Sequence, residues 1–280
     1  MTIFEAYNNT KKELESAGIE DFAFEARQII RHITGYNNTQ ILSKYNTQLN
    51  TFQQNKLTAI IKQRLIRYPL QYIFTYWSFF GRDFKVGPGV LIPRSDTELI
   101  IEKIGDKIKG KSDIKALDLC CGTGCIGITL ALEYENIAVC NMIDKYDEAL
   151  NYARQNIVAL SVPNCNAIKG DALLPITGRY DLIVSNPPYV REEELNNLQP
   201  EISFEPKTAL VAGNEGDEFY KAIAKNAYIS LNDNGILAFE IGDTQGQQVR
   251  KILEENGYSN IEVFKDYNNK DRVVTGEKII

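Results

Sequence analysis

Two consecutive prolines flanked by an asparagine and a tyrosine, Asn186-Pro187-Pro188-Tyr189, directly follow the apolar run 180–184. Such a pair cannot continue a strand ladder, because neither residue has an N–H to donate and each fixes its own φ. Pro187 also pushes Asn186 towards an extended conformation. Asn186 is therefore expected at the carboxyl end of a short buried strand, the edge at which open α/β sheets bind ligands. The chemistry such a loop suits is recognition of a planar NH2 group. The Asn186 side-chain oxygen and the Pro187 carbonyl offer two acceptors, and Tyr189 offers a flat face to stack on the same plane. Gripping both protons of an amide or aniline nitrogen leaves its lone-pair direction open to an electrophile. The plainer reading is a proline-stiffened turn with a structural asparagine.

A second constellation precedes it, Asp118-Leu119-Cys120-Cys121-Gly122-Thr123-Gly124-Cys125-Ile126-Gly127. Gly122-x-Gly124-x-x-Gly127 matches the dinucleotide fingerprint, and the acid Asp144 that follows is placed to accept hydrogen bonds from ribose hydroxyls. The glycines alone do not separate NAD from other nucleoside cofactors. Three details favour S-adenosylmethionine. Asp118, ahead of the glycines, suits an ammonium group, directly or through water, but would repel a pyrophosphate. Asp171 ends a later strand, where an adenine amino group could be bound. The Asn-Pro-Pro-Tyr loop is an amino-group grip with no hydride-transfer role. The bland alternative for each acid singly is a solvent-facing strand end or a helix cap.

The elements that must position these groups follow from hydrophobic periodicity. Strand-like segments at 114–119, 137–143, 167–170, 181–185, 235–241, 261–265 and 272–278 alternate with helix-like ones at 95–109, from the glycine turn to 134, 147–160, 217–231 and 244–256. This predicts an α/β fold with a doubly wound, seven-stranded, mostly parallel sheet over 94–280. Residues 1–70 predict a small all-α domain. Thr2 with Glu5 forms a capping box, Asp21 caps a second helix that ends at Gly35, a short helix covers 39–45, and Thr51 with Gln54 caps one stopped by Pro69. The single histidine, His32, reads as a packing residue of the second helix. Between the two domains, residues 71–93 carry Tyr72, Phe74, Tyr76, Trp77, Phe79, Phe80 and Phe84 before Gly87-Pro88-Gly89, which predicts a β-hairpin linker. Ser95-Asp96-Thr97-Glu98 reads as a further capping box.

Composition narrows the function classes. The 31 Lys/Arg against 37 Asp/Glu give a net charge of −6, which argues against a non-specific nucleic-acid binder. The charge is uneven: residues 1–73 are mildly basic and the rest acidic, as if the two parts meet different partners. The five cysteines form no paired C-x-x-C framework and only one imidazole is present, so they read as reduced residues and no metal site is expected. No apolar run reaches the roughly 18–20 residues of a membrane span, and the start lacks the basic and apolar regions of a signal peptide. A cytoplasmic protein without membrane attachment is expected.

At the glycine turn and the Asn-Pro-Pro-Tyr loop the sequence resembles the class I, Rossmann-like methyltransferases, and more narrowly the HemK/PrmC-type protein-glutamine methyltransferases. The narrower resemblance also rests on Pro69-Leu70-Gln71-Tyr72-Ile73, Leu91-Ile92-Pro93-Arg94-Ser95-Asp96-Thr97-Glu98, Phe204-Glu205-Pro206 with Ala209-Leu210, and Asp271-Arg272-Val273-Val274. It implies methylation of the glutamine in the Gly-Gly-Gln loop of peptide chain release factors, with S-adenosyl-L-methionine as donor and S-adenosyl-L-homocysteine as product. It implies that the helical domain docks the release factor. It places Cys120, Cys121, Gly122, Thr123 and Gly124 in the cofactor loop, Asp144 on the ribose, Asp171 and Ala172 by the adenine, and Asn186, Pro187, Pro188 and Tyr189 on the substrate glutamine. A monomer with no direct nucleic-acid partner is expected. Two positions depart from the family pattern. Cys120 stands where glycine is frequent, and is expected to take an ordinary φ and to leave less room for the methionine tail. Ala172 stands where a bulkier residue is frequent, so packing on adenine is expected to be weaker. The closest rival is a DNA or RNA amino-methyltransferase using the same grip on adenine; a NAD enzyme and a non-catalytic module of the same fold are the remaining alternatives.

Overall fold

Helix capping organises the N-terminal part of the chain in this computed structural model, which describes residues 1–279. α1 (Ile3–Ser16) opens on the Thr2–Glu5 capping box. α2 (Phe22–Thr34) ends at Gly35, whose φ of 71° is the left-handed stop that glycine supplies without strain. Asp21 precedes α2 but makes no side-chain cap, contrary to expectation. α3 (Asn38–Ser43) and α4 (Thr51–Leu65) each start on an asparagine capping box, Asn37 with Gln40 and Asn50 with Gln53. The cap of α4 is thus Asn50, one residue before the expected Thr51: both types can cap, and asparagine is the stronger. α5 (Leu70–Phe74) follows, a helical turn inside the aromatic stretch expected to be hairpin.

These helices form one compact unit, residues 1–75, joined by Pro200–Phe204 from far along the chain. Its core is aliphatic, with Leu14, Ile29, Ile30, Leu57 and Ile60 all buried. Within it the 1%-exposed Arg64 donates to both oxygens of Glu25, to Glu201 at 3.0 Å and to the Tyr68 carbonyl at 2.9 Å. A guanidinium so deeply buried is tolerated because its donors are spread over four acceptors. His32 stacks on Phe74 with ring centroids 4.1 Å apart, and burial, with a smaller push from Lys56, lowers its pKa to about 4. It packs as a neutral ring.

The second unit, residues 76–199 and 205–280, begins with the hairpin β1 (Tyr76–Phe79) and β2 (Arg82–Lys85). Ser95–Thr97 is a 3-10 turn leading into α6 (Glu98–Ile108), with no side-chain cap. The expected box is absent because Glu98 Oε1 instead accepts the Phe80 N–H of the hairpin at 2.8 Å. Then come β3 (Ile114–Leu119), α7 (Cys125–Glu133), β4 (Ile137–Asp144), α8 (Asp147–Leu160), β5 (Cys165–Lys169), β6 (Tyr180–Ser185), the short pair β7 (Val190–Arg191) and β8 (Val211–Gly213), α9 (Glu218–Ser230), β9 (Leu231–Glu240), α10 (Gly246–Glu255), β10 (Ser259–Lys265) and β11 (Asp271–Glu277). The main sheet has seven strands in the order β10-β11-β9-β6-β3-β4-β5. β11 and β10 are antiparallel and the rest parallel, as expected.

Alternation along the central strands sends side chains into two cores. Ala116, Val184 and Ala238 pack with α6, α7 and α8; Leu117, Ile183 and Leu237 pack with α9 and α10. A doubly wound sheet follows directly from strands apolar on both faces. β6 lies between β3 and β9, which brings the ends of these three strands together at the carboxyl edge.

Candidate active site

The loop after β3 is shaped by hydrogen bonds to its neighbours. Cys121 N–H donates to the Ile143 carbonyl at 3.0 Å, and Gly124 N–H to the Cys121 carbonyl at 2.8 Å. Gly122 N–H donates to Asp144 Oδ2 at 3.0 Å. The third glycine is a packing residue: a Cβ on Gly127 would lie 2.8 Å from Met142 of β4. Gly124 has φ 77° and caps α7. Cys120 takes φ 58°, which corrects the expectation of an ordinary conformation. The bonds on either side of the turn fix the reversal, and Cys120 adopts a left-handed backbone at a cost of about 1–2 kcal/mol.

A cavity opens over this turn. Cys120, Cys121, Gly122 and Thr123 form its floor; Asp144, Asp171, Ala172, Asn186 and Pro188 stand around it. All are residues the sequence singled out. Four others do not line it. Asp118 is fully buried beneath the turn, where its Oδ2 accepts the Gly127 N–H at 3.0 Å and its Oδ1 has no partner among the described residues. Burial, offset in part by that bond and reinforced by Asp144, raises its pKa to about 8. Gly124 packs against Ile128 and Met142. Pro187 is buried, and Tyr189 is half-buried behind the loop.

The other acids differ in setting. Asp144 is 9% exposed; its oxygens accept the Gly122 and Tyr146 N–H groups, each at 3.0 Å. Burial raises its pKa, and these bonds hold it down in part. Asp171 lies after β5, where burial opposes ionisation but its 2.9 Å pair with Lys145 and the Leu173 N–H bring the pKa below the ordinary value. Burial raises the thiols of Cys120, Cys121 and Cys125, the last to about 12, so they contact a ligand as neutral groups.

The Asn-Pro-Pro-Tyr loop is clamped at both ends. Before it, Ser185 Oγ donates to the Leu119 carbonyl at 2.7 Å; after it, Tyr189 N–H donates to the Leu210 carbonyl at 3.2 Å, and Gln245 Nε2 donates to the Tyr189 carbonyl at 3.3 Å. Asn186 Nδ2 donates to Thr97 Oγ1 at 3.5 Å. Among the described residues, no donor reaches Asn186 Oδ1 or the Pro187 carbonyl. Both acceptors the sequence singled out are thus free of protein donors, and Asn186 lines the cavity.

Several supporting residues were not singled out as such. Glu205, 4% exposed, accepts the Ile92 N–H at 2.9 Å and pairs with Arg94, joining two segments of the cavity rim. Asn156, fully buried, bonds both main-chain groups of Lys85 and the Thr123 carbonyl, tying the hairpin to the glycine turn. Thr97 lines the cavity with Asn186, and Glu240, at the end of β9, lies outside the lining. Glu240 carried a readable signal, being an acid at the end of a strand like Asp118 and Asp144; Asn156 lies within a helical pattern and carried none.

Comparison with known proteins places this arrangement. Residues 95–215 match the family model of the methyltransferase small domain, and residues 5–74 match that of the PrmC N-terminal domain. The release factor glutamine methyltransferase of Clostridium botulinum is 34% identical over 270 residues, covering 95% of each chain. The chain belongs to the release factor glutamine methyltransferase family. Proteins of the same name from Fusobacterium nucleatum, 34% identical over 98% of this chain and 78% of that one, and from Haemophilus influenzae, 35% identical over 92% of each, agree. Among solved structures, a methyltransferase from Pyrococcus furiosus superposes with a TM-score of 0.53 at 18% identity, over 82% of this chain and all of that one. A T. thermophilus 16S rRNA methyltransferase, solved with AdoMet and guanosine, does so with 0.52 at 18% identity, over 72% and 49%. At such identity these two show the fold, that of the class I methyltransferases. As a member of this family the protein is a methyltransferase. Among the described residues no helix is long and apolar enough to cross a membrane.

Proposed function

We propose that the protein transfers a methyl group from S-adenosyl-L-methionine to the side-chain amide nitrogen of the glutamine in the Gly-Gly-Gln loop of peptide chain release factors, releasing S-adenosyl-L-homocysteine. The observation that carries this reading is the unengaged acceptor Asn186 Oδ1, on a residue lining a cavity floored by the glycine turn, with the equally unengaged Pro187 carbonyl next to it in the chain. The residues present fit the cofactor. Gly122 has φ 55° and carries no Cβ to fill the cavity, Asp144 keeps acceptor capacity for hydroxyls, and Asp118, held neutral by burial up to about pH 8, has an unpartnered Oδ1 beneath the turn and would be drawn towards its charged form by a cation bound above it. Ala172 offers adenine a small apolar contact, and Asp171 an acceptor nearby. When bound, the cofactor supplies an electrophilic methyl group on sulfur.

The rest is the work of this chain's own residues. A glutamine amide nitrogen is a poor nucleophile, because its lone pair is delocalised into the carbonyl. Accepting both N–H bonds at Asn186 and Pro187 reduces that delocalisation, fixes the nitrogen in one orientation and stabilises positive charge building on it. Alignment of two reactants supplies up to ~7–11 kcal/mol of barrier lowering. Tyr189 backs the loop from the core beneath it. The proton leaves to water once the alkylated nitrogen is acidic. In this reading the helical unit docks the release factor, and the enzyme works in the cytoplasm as a monomer, without a direct nucleic-acid partner.

Intact mass spectrometry of a purified release factor, incubated with the protein and S-adenosylmethionine, tests this. One added methyl group is expected, and none on a release factor whose loop glutamine is changed to alanine. Labelled methyl entering DNA or RNA instead of the release factor would overturn the substrate reading.

A further inference from the structure

The carboxyl end of β9 holds a carboxylate that the chemistry above does not use. Glu240 is 2% exposed, and its Oε2 has no hydrogen-bond partner among the described residues. Its surroundings lead to Asn186. In the parallel β6–β9 ladder Ser185 pairs with Phe239, so one step further along both strands sets Asn186 beside Glu240. Val184 and Ala238, two residues before each, pack into the same core as α6, which puts Asn186 and Glu240 on the α6 face by strand alternation. Thr97, 2% exposed and one residue before α6, stands on that face. It accepts a hydrogen bond from Asn186 Nδ2, and its hydroxyl stabilises the charged form of Glu240.

A hydroxyl has one proton to give, and an ionised carboxylate can only accept. With the Thr97 proton directed to Glu240, its oxygen faces Asn186 purely as an acceptor. That choice matters because the two ends of an asparagine amide have nearly the same shape. An acceptor at Thr97 selects the NH2 end of Asn186 and leaves Oδ1 for the incoming amide. The flipped amide would set NH2 against the substrate NH2, donor against donor. We infer that Glu240 and Thr97 act as a hydrogen-bond relay that fixes the amide orientation of Asn186, with both as positioning residues for methyl transfer. The inference rests on the glutamine-amide reading of the site.

The relay requires Glu240 to be ionised. Burial is the main influence against this and raises its pKa to about 7. Arg272 of β11 and Arg94 ahead of α6 favour the charged form, and Asp96 opposes it. The phenols of Tyr189 and Tyr220 and the Cys125 thiol also face it, all neutral at that pH. Turnover limited by the relay therefore falls as pH drops through about 7.

The test measures release-factor methylation by wild type, Thr97→Ser, Thr97→Val, Glu240→Gln and the Thr97→Val/Glu240→Gln double variant, with cofactor Kd and melting temperature for each. Thr97→Ser keeps the hydroxyl and is expected to rescue turnover to within about threefold of wild type. Thr97→Val and Glu240→Gln are each expected to lose about 10–100-fold in kcat, the effect of one misdirected buried hydrogen bond, with cofactor Kd and melting temperature close to wild type. The double variant should lose no more than the worse single one, since both break the same chain. The low-pH limb should be absent in Glu240→Gln. Wild-type turnover in Thr97→Val, additive losses, or losses matched by cofactor affinity or melting would overturn the relay. A wild type that leaves the release factor unmethylated would instead overturn the reading of the site.

Discussion

Glu205 offers the sharpest test of how the cavity is held together. Its carboxylate accepts the Ile92 N–H and pairs with Arg94. Ile92 is 2% exposed, so Glu205→Ala leaves a buried donor without a partner, a loss of about 1.5–3 kcal/mol for a bond to a charged group. The Arg94 side chain is 37% exposed, so that pair contributes only ~0.5–1 kcal/mol after screening. Together the loss is about 2–4 kcal/mol, or a fall in Tm of roughly 4–16 °C for a unit of this size. Glu205→Gln keeps an oxygen for Ile92 and loses only the charge, so its Tm should fall by about 1–4 °C. Leu91, Pro93 and Arg94 on one side and Pro206, Thr208 and Ala209 on the other line the cavity. Calorimetric S-adenosylmethionine affinity should follow the same order, weakest in the alanine variant. Differential scanning calorimetry of both variants decides the matter. A Glu205→Ala protein that melts within about 1 °C of wild type would refute the argument. Equal losses in the two variants would mean that the Arg94 pair, rather than the Ile92 bond, holds the rim.

Three further outcomes follow from the same geometry. Asn186→Ala should lower kcat by about 2–4 kcal/mol of transition-state stabilisation while cofactor Kd stays within about threefold, because the lost acceptor serves the substrate rather than the cofactor; unchanged turnover would sink the amide-grip mechanism. Cys120→Gly should raise stability by about 0.5–1 kcal/mol in denaturant titration, the relief of left-handed strain less the entropy glycine adds to the unfolded chain; a destabilised variant would contradict this. The third outcome concerns pH. Asp118 and Glu240 have folded-state pKa values of about 8 and about 7, above their unfolded values, so the folded protein binds more protons. Their contribution to stability is therefore fully present below their unfolded pKa values and is lost as pH rises through the folded ones. The cofactor-free protein should be about 2–4 kcal/mol less stable at pH 8 than at pH 6, and Asp118→Asn should flatten the dependence; a rise in stability over that range would contradict the burial argument.

The order of strands and helices was legible because β–α alternation is a local pattern, carried by the hydrophobic periodicity of each segment. The helix starts were less so. Thr51 and Asn50 are both competent caps, and one residue of register decides between them. Ser95 to Glu98 spells a capping box, yet the structure spends Glu98 on the hairpin at Phe80, a contact that no local pattern encodes. The same holds for Pro200–Phe204, which joins the helical unit through Glu201 and Arg64. Cys120 shows the opposite failure. Its residue type argues for an ordinary backbone, but hydrogen bonds around the turn override that preference.

The acids at the strand ends show what position alone leaves open. Asp118, Asp144, Asp171 and Glu240 all follow the rule that an acid closing a strand marks the ligand edge, yet they stand in different surroundings. Parity supplies the missing information. Asp118 shares its face of β3 with Ala116, which packs with α6 and α7; it therefore lies under the start of α7, where Gly127 bonds it. Its buried carboxyl braces the turn from below, while Asp144 reaches the cavity from the neighbouring strand. Glu240 shares its face of β9 with Ala238 and meets Thr97 and Asn186 rather than the cavity. Position along a strand thus finds the edge, and alternation across it separates the groups able to touch a ligand from those that orient them. Both were available from residue spacing. What was not available is which of the buried acids has each oxygen satisfied, since that depends on the turn and helix packed above it.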